Sequence, residues 1–262
     1  MQQFELEAAC ACRTGRLRNN NEDNFLFDGR CLEEENRGLR HPVTMTDRLQ
    51  KEICFAVFDG MGEADFGETA AFTAAEGLRS MLTKLDSFFV PERHFLQDSC
   101  AELNDAVLRK KEELRTERMG TTMTALMFSP SLIYVCNMGD SRAYRLRNGE
   151  FLQLTKDHVL VGEGEKKGVL TQYLGMDPQP KGPEPFIARG EIRDDDWYIL
   201  CSDGLTDSLT NLEIDFAVLQ SGDPENCVRT LMDKALSSGG QDDITVIAIH
   251  ITDARGSDSP SA

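Results

Sequence analysis

The stretch Ile53-Cys54-Phe55-Ala56-Val57-Phe58-Asp59-Gly60 joins a short apolar run to an acidic turn. Apolar runs of this length bounded by turn residues are typical of buried β-strands. The arrangement recurs three times: residues 132–136 precede Gly139-Asp140-Ser141, residues 197–201 precede Ser202-Asp203-Gly204, and residues 244–249 follow Gln241-Asp242-Asp243. Because a sheet can bring strand ends from distant parts of a chain together, the pattern predicts that these carboxylates gather at one rim.

A fifth acidic turn, Asn21-Glu22-Asp23, stands near the start of the chain. Each turn alone is what a simple chain reversal requires, since Asp bonds its own backbone and Gly tolerates positive φ. Several carboxylates at one rim would repel each other unless cations lay between them. Mg²⁺ and Mn²⁺ are hard ions that prefer such oxygen ligands. The five turns together therefore predict a metal site assembled by the fold.

Composition excludes several classes of protein. With 262 residues, a formal charge of −17 and a pI near 4.7, the chain lacks the basic footprint of a nucleic-acid-binding protein. The acidic surface also disfavours anionic lipid, no apolar stretch is long enough to span a membrane, and the N-terminus does not resemble a signal peptide. The eight cysteines contain no C-x-x-C pair, which indicates reduced, buried thiols and a cytoplasmic location.

The periodicity of apolar residues predicts an α+β domain with antiparallel sheets and helices packed outside. Asn148-Gly149 predicts a β-hairpin. We expect a surface loop over residues 31–51 and an irregular segment over residues 159–190. We expect a single domain over residues 1–252, followed by a disordered tail over 253–262. The predicted helices cover residues 68–84, 95–114 and 211–220, and a further helix opens at Asp223-Pro224.

Six motifs occur in register along residues 5–251, and together they resemble a known family. They are the segment 15–23, which ends in Asn21-Glu22-Asp23, then Phe58-Asp59-Gly60-Met61-Gly62, Gly120-Thr121-Thr122, the segment 137–142 around Gly139-Asp140-Ser141, the segment 200–204 around Ser202-Asp203-Gly204, and Asp242-Asp243-Ile244-Thr245. This pattern resembles the metal-dependent Ser/Thr protein phosphatases (PPM, protein phosphatase 2C) in their bacterial form. The resemblance implies a four-layer α/β/β/α sandwich with two central antiparallel sheets.

The resemblance also implies an enzyme that hydrolyses phosphoserine and phosphothreonine through a water bridging two Mn²⁺ or Mg²⁺ ions. Asp59 would bridge both ions, the carbonyl of Gly60 would complete one shell, and Asp203 and Asp242 would hold the second ion. Glu22 and Asp23 would act through metal-bound waters. Arg18 would grip the substrate phosphate with its planar fork. A third, weaker ion would involve Asp140, Asp203 and Asp207, although Asp140 is equally well understood as a turn residue.

Several positions depart from the family pattern. Glu63 stands where a small residue is expected, and Asp243 replaces the usual Asn after the last ligand. Met61 takes the place of a histidine that eukaryotic members use as a proposed acid, which leaves His158 as a candidate if the fold brings it close. The flap between His158 and Gln172 is short. Glu63 and Asp243 keep open a non-catalytic module that binds a phosphoprotein or regulatory partner. A third interpretation is an enzyme that is dedicated to one regulator.

The partners implied by the resemblance are phosphorylated proteins, among them a Ser/Thr kinase and its targets. We expect a monomer that binds neither nucleic acid nor membrane.

Overall fold

The computed structural model describes residues 3–61, 66–85, 91–162, 168–177 and 182–254. Over this part the chain forms fourteen strands and five helices. The strands are β1 (Phe4–Arg13), β2 (Asp23–Leu26), β3 (Val43–Arg48), β4 (Ile53–Met61), β5 (Gly120–Thr121), β6 (Met123–Phe128), β7 (Leu132–Met138), β8 (Arg142–Arg147), β9 (Glu150–Gln153), β10 (Val159–Leu160), β11 (Val169–Leu170), β12 (Phe186–Glu191), β13 (Asp196–Cys201) and β14 (Ile244–Asp253). The helices are α1 (Gly67–Leu85), α2 (Glu92–Leu114), α3 (Asp203–Thr206), α4 (Asn211–Ser221) and α5 (Pro224–Ser237).

Two antiparallel sheets form the centre of the molecule. The first has the strand order β3-β1-β14-β13-β8-β9, and the second has the order β12-β7-β6-β4-β2, with β5 paired to β4. A separate two-stranded hairpin of β10 and β11 stands apart from both sheets. The predicted α+β fold with two central antiparallel sheets is confirmed.

Three apolar cores account for the four layers. Between the sheets, residues such as Leu6, Phe55, Phe128 and Tyr198 are fully buried. On the outer face of the second sheet, α1 and α2 bury an alanine- and leucine-rich stripe. On the outer face of the first sheet, α4 and α5 do the same. Each sheet is therefore apolar on both faces, so its strands read as continuous apolar runs rather than as alternation.

The predicted helices and the hairpin are found close to their expected bounds. Helix α4 begins with a capping box between Thr210 and Glu213, and α5 begins at Pro224 with Asp223 as its N-cap. In the hairpin, Asn148 and Gly149 have φ values of 51° and 76°, which a two-residue turn of type I′ requires.

Among the described residues, four strands lie in segments where the sequence predicts irregular structure. Strand β3 falls within residues 31–51, the short strands β10 and β11 fall within residues 159–190, and β12 begins there and ends at Glu191. Strands β3 and β12 lie at the edges of the two large sheets. An edge strand pairs through its backbone and leaves much of its surface in water, so it carries no apolar pattern to reveal it. Strand β3, with five of its six residues exposed, is the clearer example.

The end of the chain departs slightly from the predicted tail over 253–262. Asp253 is the last residue of β14 and lies opposite Phe4, and the backbone N–H of Ala254 donates to the carbonyl of Gln3 at 2.9 Å. Residues 255–262 lie outside the described part of the chain. No helix among the described residues has the length and apolar character needed to cross a membrane.

Candidate metal centre

The acidic turns meet at one end of the sheet sandwich. Antiparallel pairing of β2 with β4 sets Asp23 opposite Asp59. Asp59, Asp140, Asp203 and Asp242 line a single cleft of about 860 Å³. The fold thus brings together carboxylates that are separated by up to 183 residues along the chain, as the position of the turns at strand ends predicts.

Asp59 is held by its backbone from a neighbouring strand. Its N–H donates to Oγ1 of Thr122 at 3.0 Å, and its carbonyl accepts from the backbone N–H of Thr122 at 2.9 Å and from Oγ1 of Thr121 at 3.0 Å. These threonines belong to the motif Gly120-Thr121-Thr122, whose contacts with Asp59 serve strand geometry. The side chain of Asp59 therefore leaves a fixed point at the end of β4 and reaches the cleft.

Gly60 is required by close packing rather than by an unusual backbone angle. A Cβ at this position would lie 2.2 Å from the carbonyl oxygen of Gly67 and 2.5 Å from that of Glu22. The N–H of Gly60 also donates to the Glu22 carbonyl at 3.1 Å. Any side chain at this position would push the turn Asn21-Glu22-Asp23 away from the start of α1. Only glycine therefore lets this turn and α1 come so close to residue 60.

Asp23 is buried and accepts two hydroxyl hydrogen bonds. Its Oδ2 receives the hydroxyl protons of Ser202 and Thr245, both at 2.7 Å. Ser202 directly precedes the predicted ligand Asp203, and Thr245 lies in β14, three residues after Asp242, so Asp23 connects the start of α3 with the start of β14. No sequence pattern connects Asp23 with Ser202 and Thr245, because they lie 179 and 222 residues away.

Asp243, one of the departures from the family pattern, supports a loop. Its side chain is buried, with Oδ1 accepting from the N–H of Gly15 at 2.9 Å and Oδ2 from the N–H of Glu22 at 2.7 Å. A carboxylate can satisfy both amides at once, and it fixes both ends of the loop that carries Arg18. Glu63, the other acidic departure, lies outside the described residues.

Arg18 pairs with carboxylates of the cluster. Its Nε and Nη2 donate to the two oxygens of Asp242 at 2.9 and 3.0 Å, a bidentate arrangement, and its Nη1 lies 3.3 Å from Oε2 of Glu22. Part of the guanidinium remains exposed, with 36% of the side chain accessible. The predicted phosphate-binding arginine thus forms an ion pair with a predicted metal ligand.

The carboxylates of the cluster carry more negative charge than their surroundings balance. Burial, together with the charges of Asp203, Asp23, Asp140 and Asp242, raises the pKa of Asp59 well above its usual value. Burial and the charge of Asp243 also raise the pKa of Asp23. Burial raises the pKa of Glu22 to about 7, although Arg18 opposes the shift. Divalent cations are the natural partners of such a cluster.

In the described ranges, no three His, Cys, Asp or Glu side chains are grouped closely enough to hold an ion as they stand. The bidentate pair between Arg18 and Asp242 turns one predicted ligand towards the guanidinium. The donors are oxygens, they repel each other, and they line one cleft, which is the donor set that Mn²⁺ and Mg²⁺ prefer.

The remaining predicted residues take different positions. Asp140 lines the cleft beside Asp59, whereas Asp207 lies at the end of α3, one turn beyond Asp203. His158 packs against the turn before Asp140, where its Nδ1 accepts from the N–H of Gly139 at 3.3 Å, and burial lowers its pKa. Its ring is not among the described residues that line the cleft, whereas Met61 is.

We expect Glu22 to make the metal-free protein less stable as the pH rises from about 4.5 to about 7. A carboxyl group whose pKa is raised by folding binds its proton more tightly in the folded state, so that stabilisation is lost as the proton leaves. Thermal unfolding in EDTA across this range should show a steeper fall in Tm for wild type than for Glu22→Gln. The exposed Glu102→Gln serves as the control and should keep the wild-type slope. Parallel slopes for wild type and Glu22→Gln would contradict the expectation.

Comparison with known proteins supports the same chemistry. The family described as "Protein phosphatase 2C" matches residues 43–236. The Ser/Thr phosphatase Stp of Listeria innocua is 29% identical over 253 residues, which cover 90% of this chain and 92% of that protein. The Ser/Thr protein phosphatase PstP of Mycobacterium tuberculosis is also 29% identical, over 95% of this chain and 45% of its own length.

Solved structures give the same result for the fold. The catalytic domain of PstP in complex with two manganese ions has a TM-score of 0.72 at 28% identity, and the match covers 95% of this chain and all of that one. A PPM Ser/Thr phosphatase of Mycobacterium smegmatis in complex with cacodylate has a TM-score of 0.72 at 30% identity, over 92% of this chain and 97% of that one.

Proposed function

The chain belongs to the protein phosphatase 2C family, and we propose that its acidic cleft removes phosphate from phosphoserine and phosphothreonine in proteins. It is a Ser/Thr protein phosphatase that depends on divalent metal. The observation that supports the site most strongly is the convergence of four aspartates on one cleft that Arg18 also lines. Acidic residues alone would repel a phosphate, so the same cleft needs cations to bind its substrate.

We assign the residues of the cleft to the following roles. Asp59, the Gly60 carbonyl, Asp203 and Asp242 would hold two cations, while Glu22 and Asp23 would orient the waters around them. Asp140, together with Asp203 and Asp207, remains our candidate for a third and weaker ion. When bound, the cations neutralise the phosphate and make a water more acidic, so that it can attack phosphorus in line.

The protein's own groups then account for substrate binding. Arg18 offers a planar fork that suits a phosphate, and its partly exposed side chain lines the cleft. It must leave Asp242, at least in part, before it can bind the substrate. Thr121 and Thr122 keep the Asp59 backbone fixed, so the ligand carboxylate does not have to be reorganised during turnover. Met61 has no proton to give to the leaving group, which points to solvent as its source.

Asp243, one of the residues that depart from the family pattern, gives no support to a purely binding module. Its two side-chain oxygens accept hydrogen bonds from backbone amides, and the predicted ligand set is left intact. We further propose that the physiological substrates include a Ser/Thr kinase and its targets, and that the protein acts as a monomer. The eight cysteines are all free, which supports our proposal of a reducing, cytoplasmic location.

The proposed function is tested by phosphate release from peptides. Phosphothreonine and phosphoserine peptides should be hydrolysed with Mn²⁺ or Mg²⁺ and remain intact in EDTA, because the carboxylate cluster alone repels the phosphate. A phosphotyrosine peptide of the same sequence is the control for selectivity. Binding of the phosphothreonine peptide without turnover, at saturating metal, would support the non-catalytic alternative instead.

A further inference from the structure

Two arginines of the described residues line the cleft, and they differ in their ion pairs. Arg18 is paired with Asp242 and Glu22. Arg118 is exposed on the segment between α2 and β5, and no carboxylate among the described residues forms an ion pair with its guanidinium. An arginine without an ion pair to the described carboxylates is unusual in this chain, because the chain has 45 acidic residues against 28 Lys and Arg. The remaining charged side chains of the cleft lining are all carboxylates.

The backbone around Arg118 is firmly held, although its side chain is not. The next residue, Met119, is buried, with 2% of its surface exposed. Gly120 then pairs with Met61 in the β4–β5 ladder, two residues after Asp59. On the other side, Thr121 and Leu174 exchange backbone hydrogen bonds of 3.0 and 2.8 Å. Arg118 is therefore fixed at the cleft wall by the strand that positions the metal-binding turn.

Packing leaves little freedom for this segment to move aside. A Cβ on Gly120 would lie 2.7 Å from the Cε of Met61 and 2.8 Å from Cδ2 of Tyr173, another residue of the cleft lining. Buried Asn104 of α2 accepts from the N–H groups of Gly175 and Met176 at 2.8 and 3.1 Å and so holds the segment that follows Tyr173. The guanidinium thus extends from a rigid base into a cleft that a substrate must enter.

On the proposed phosphatase function of this cleft, we infer that Arg118 forms a second anion site, which binds an acidic side chain or a second phosphate beside the phosphoresidue that is hydrolysed. A guanidinium fork binds carboxylate and phosphate in the same bidentate way. Since Arg118 has no ionic partner to give up in the described part of the chain, it gains an ion pair without losing one. An ordinary solvated surface arginine would show no dependence on the substrate's neighbouring charge, which makes the two cases separable.

The test uses phosphothreonine peptides of one sequence in which a neighbouring position carries alanine, glutamate or a non-hydrolysable phosphonate, placed in turn on either side. Wild type with Mn²⁺ should prefer an anionic neighbour on at least one side. Arg118→Ala should lower kcat/KM for that peptide about five- to tenfold, as expected for a partly exposed charged pair, and change little for the alanine peptide. Arg118→Lys should keep part of the preference.

Arg109→Ala is the matched control, because Arg109 is exposed on α2 and is not among the residues that line the cleft. It removes the same charge and should keep the wild-type preference. A preference for glutamate assigns the site to acidic sequences, and a preference for the phosphonate alone assigns it to a second phosphate. Equal losses on all peptides in Arg118→Ala, or the same loss in Arg109→Ala, would overturn the assignment. Turnover of the alanine peptide reports on the proposed function independently.

Discussion

Replacement of Asp203 by asparagine is expected to lower kcat/KM by about 100- to 1,000-fold, the range typical for loss of one charged group that stabilises a transition state. Asp203 begins α3 directly after β13, and its charge contributes to the raised pKa of Asp59. Asparagine keeps the size of the side chain but removes the negative charge that a cation requires. Phosphate release from a phosphothreonine peptide at saturating Mn²⁺ is the measurement.

The same substitution should leave the metal-free fold as stable as wild type, or make it more stable. With one charge removed from the cluster, the repulsion that burdens Asp59 is smaller. Thermal unfolding in EDTA measures this effect, and calorimetric titration with Mn²⁺ should show weaker binding or fewer ions bound. Asp233→Asn, an exposed change on α5, is the control for loss of a charge. Wild-type activity in Asp203→Asn would exclude Asp203 from the ligand set.

Much of this site could be predicted because its residues follow strands that are buried on both faces. The apolar runs before Asp59 and Asp203 locate β4 and β13, and the recurrence of acidic turns at strand ends indicates a shared site more strongly than any one turn does. The edge strands β3 and β12 could not be predicted in the same way. Their pairing depends on the backbone of a neighbour, and the sequence carries no apolar pattern to reveal it.

The hydrogen-bond partners of the carboxylates could not be predicted from the sequence, for a different reason. In the sequence, Asp243 is one more negative charge next to Asp242. Only the fold shows that its two carboxylate oxygens accept hydrogen bonds from backbone amides. Likewise, Arg18 and Asp242 are separated by 224 residues, so no spacing rule connects them. The residue types that a metal site needs can be recognised in the sequence, whereas the hydrogen bonds that aim them depend on the register of distant strands.

Arg18→Ala is expected to raise KM for a phosphothreonine peptide by about 30-fold, which corresponds to about 2 kcal/mol for a charge-assisted bidentate contact with phosphate. The effect should fall on KM more than on kcat, because the contact is made to the bound phosphate before and during reaction. Arg18→Lys should lie between wild type and alanine, since lysine keeps the charge but loses the planar fork. Steady-state kinetics at saturating Mn²⁺ give both constants.

The pair between Arg18 and Asp242 adds a second expectation, for metal binding without substrate. In wild type a cation that binds Asp242 must displace the guanidinium, so Arg18→Ala should bind Mn²⁺ more tightly. Calorimetric titration measures this, with Arg16→Ala as the control, because Arg16 is exposed on the same loop and its backbone N–H bonds to Gly240. Weaker Mn²⁺ binding in Arg18→Ala would show that the arginine helps to shape the metal site. Tighter binding combined with a raised KM would mean that one arginine serves the carboxylate in the empty site and the phosphate in the loaded one.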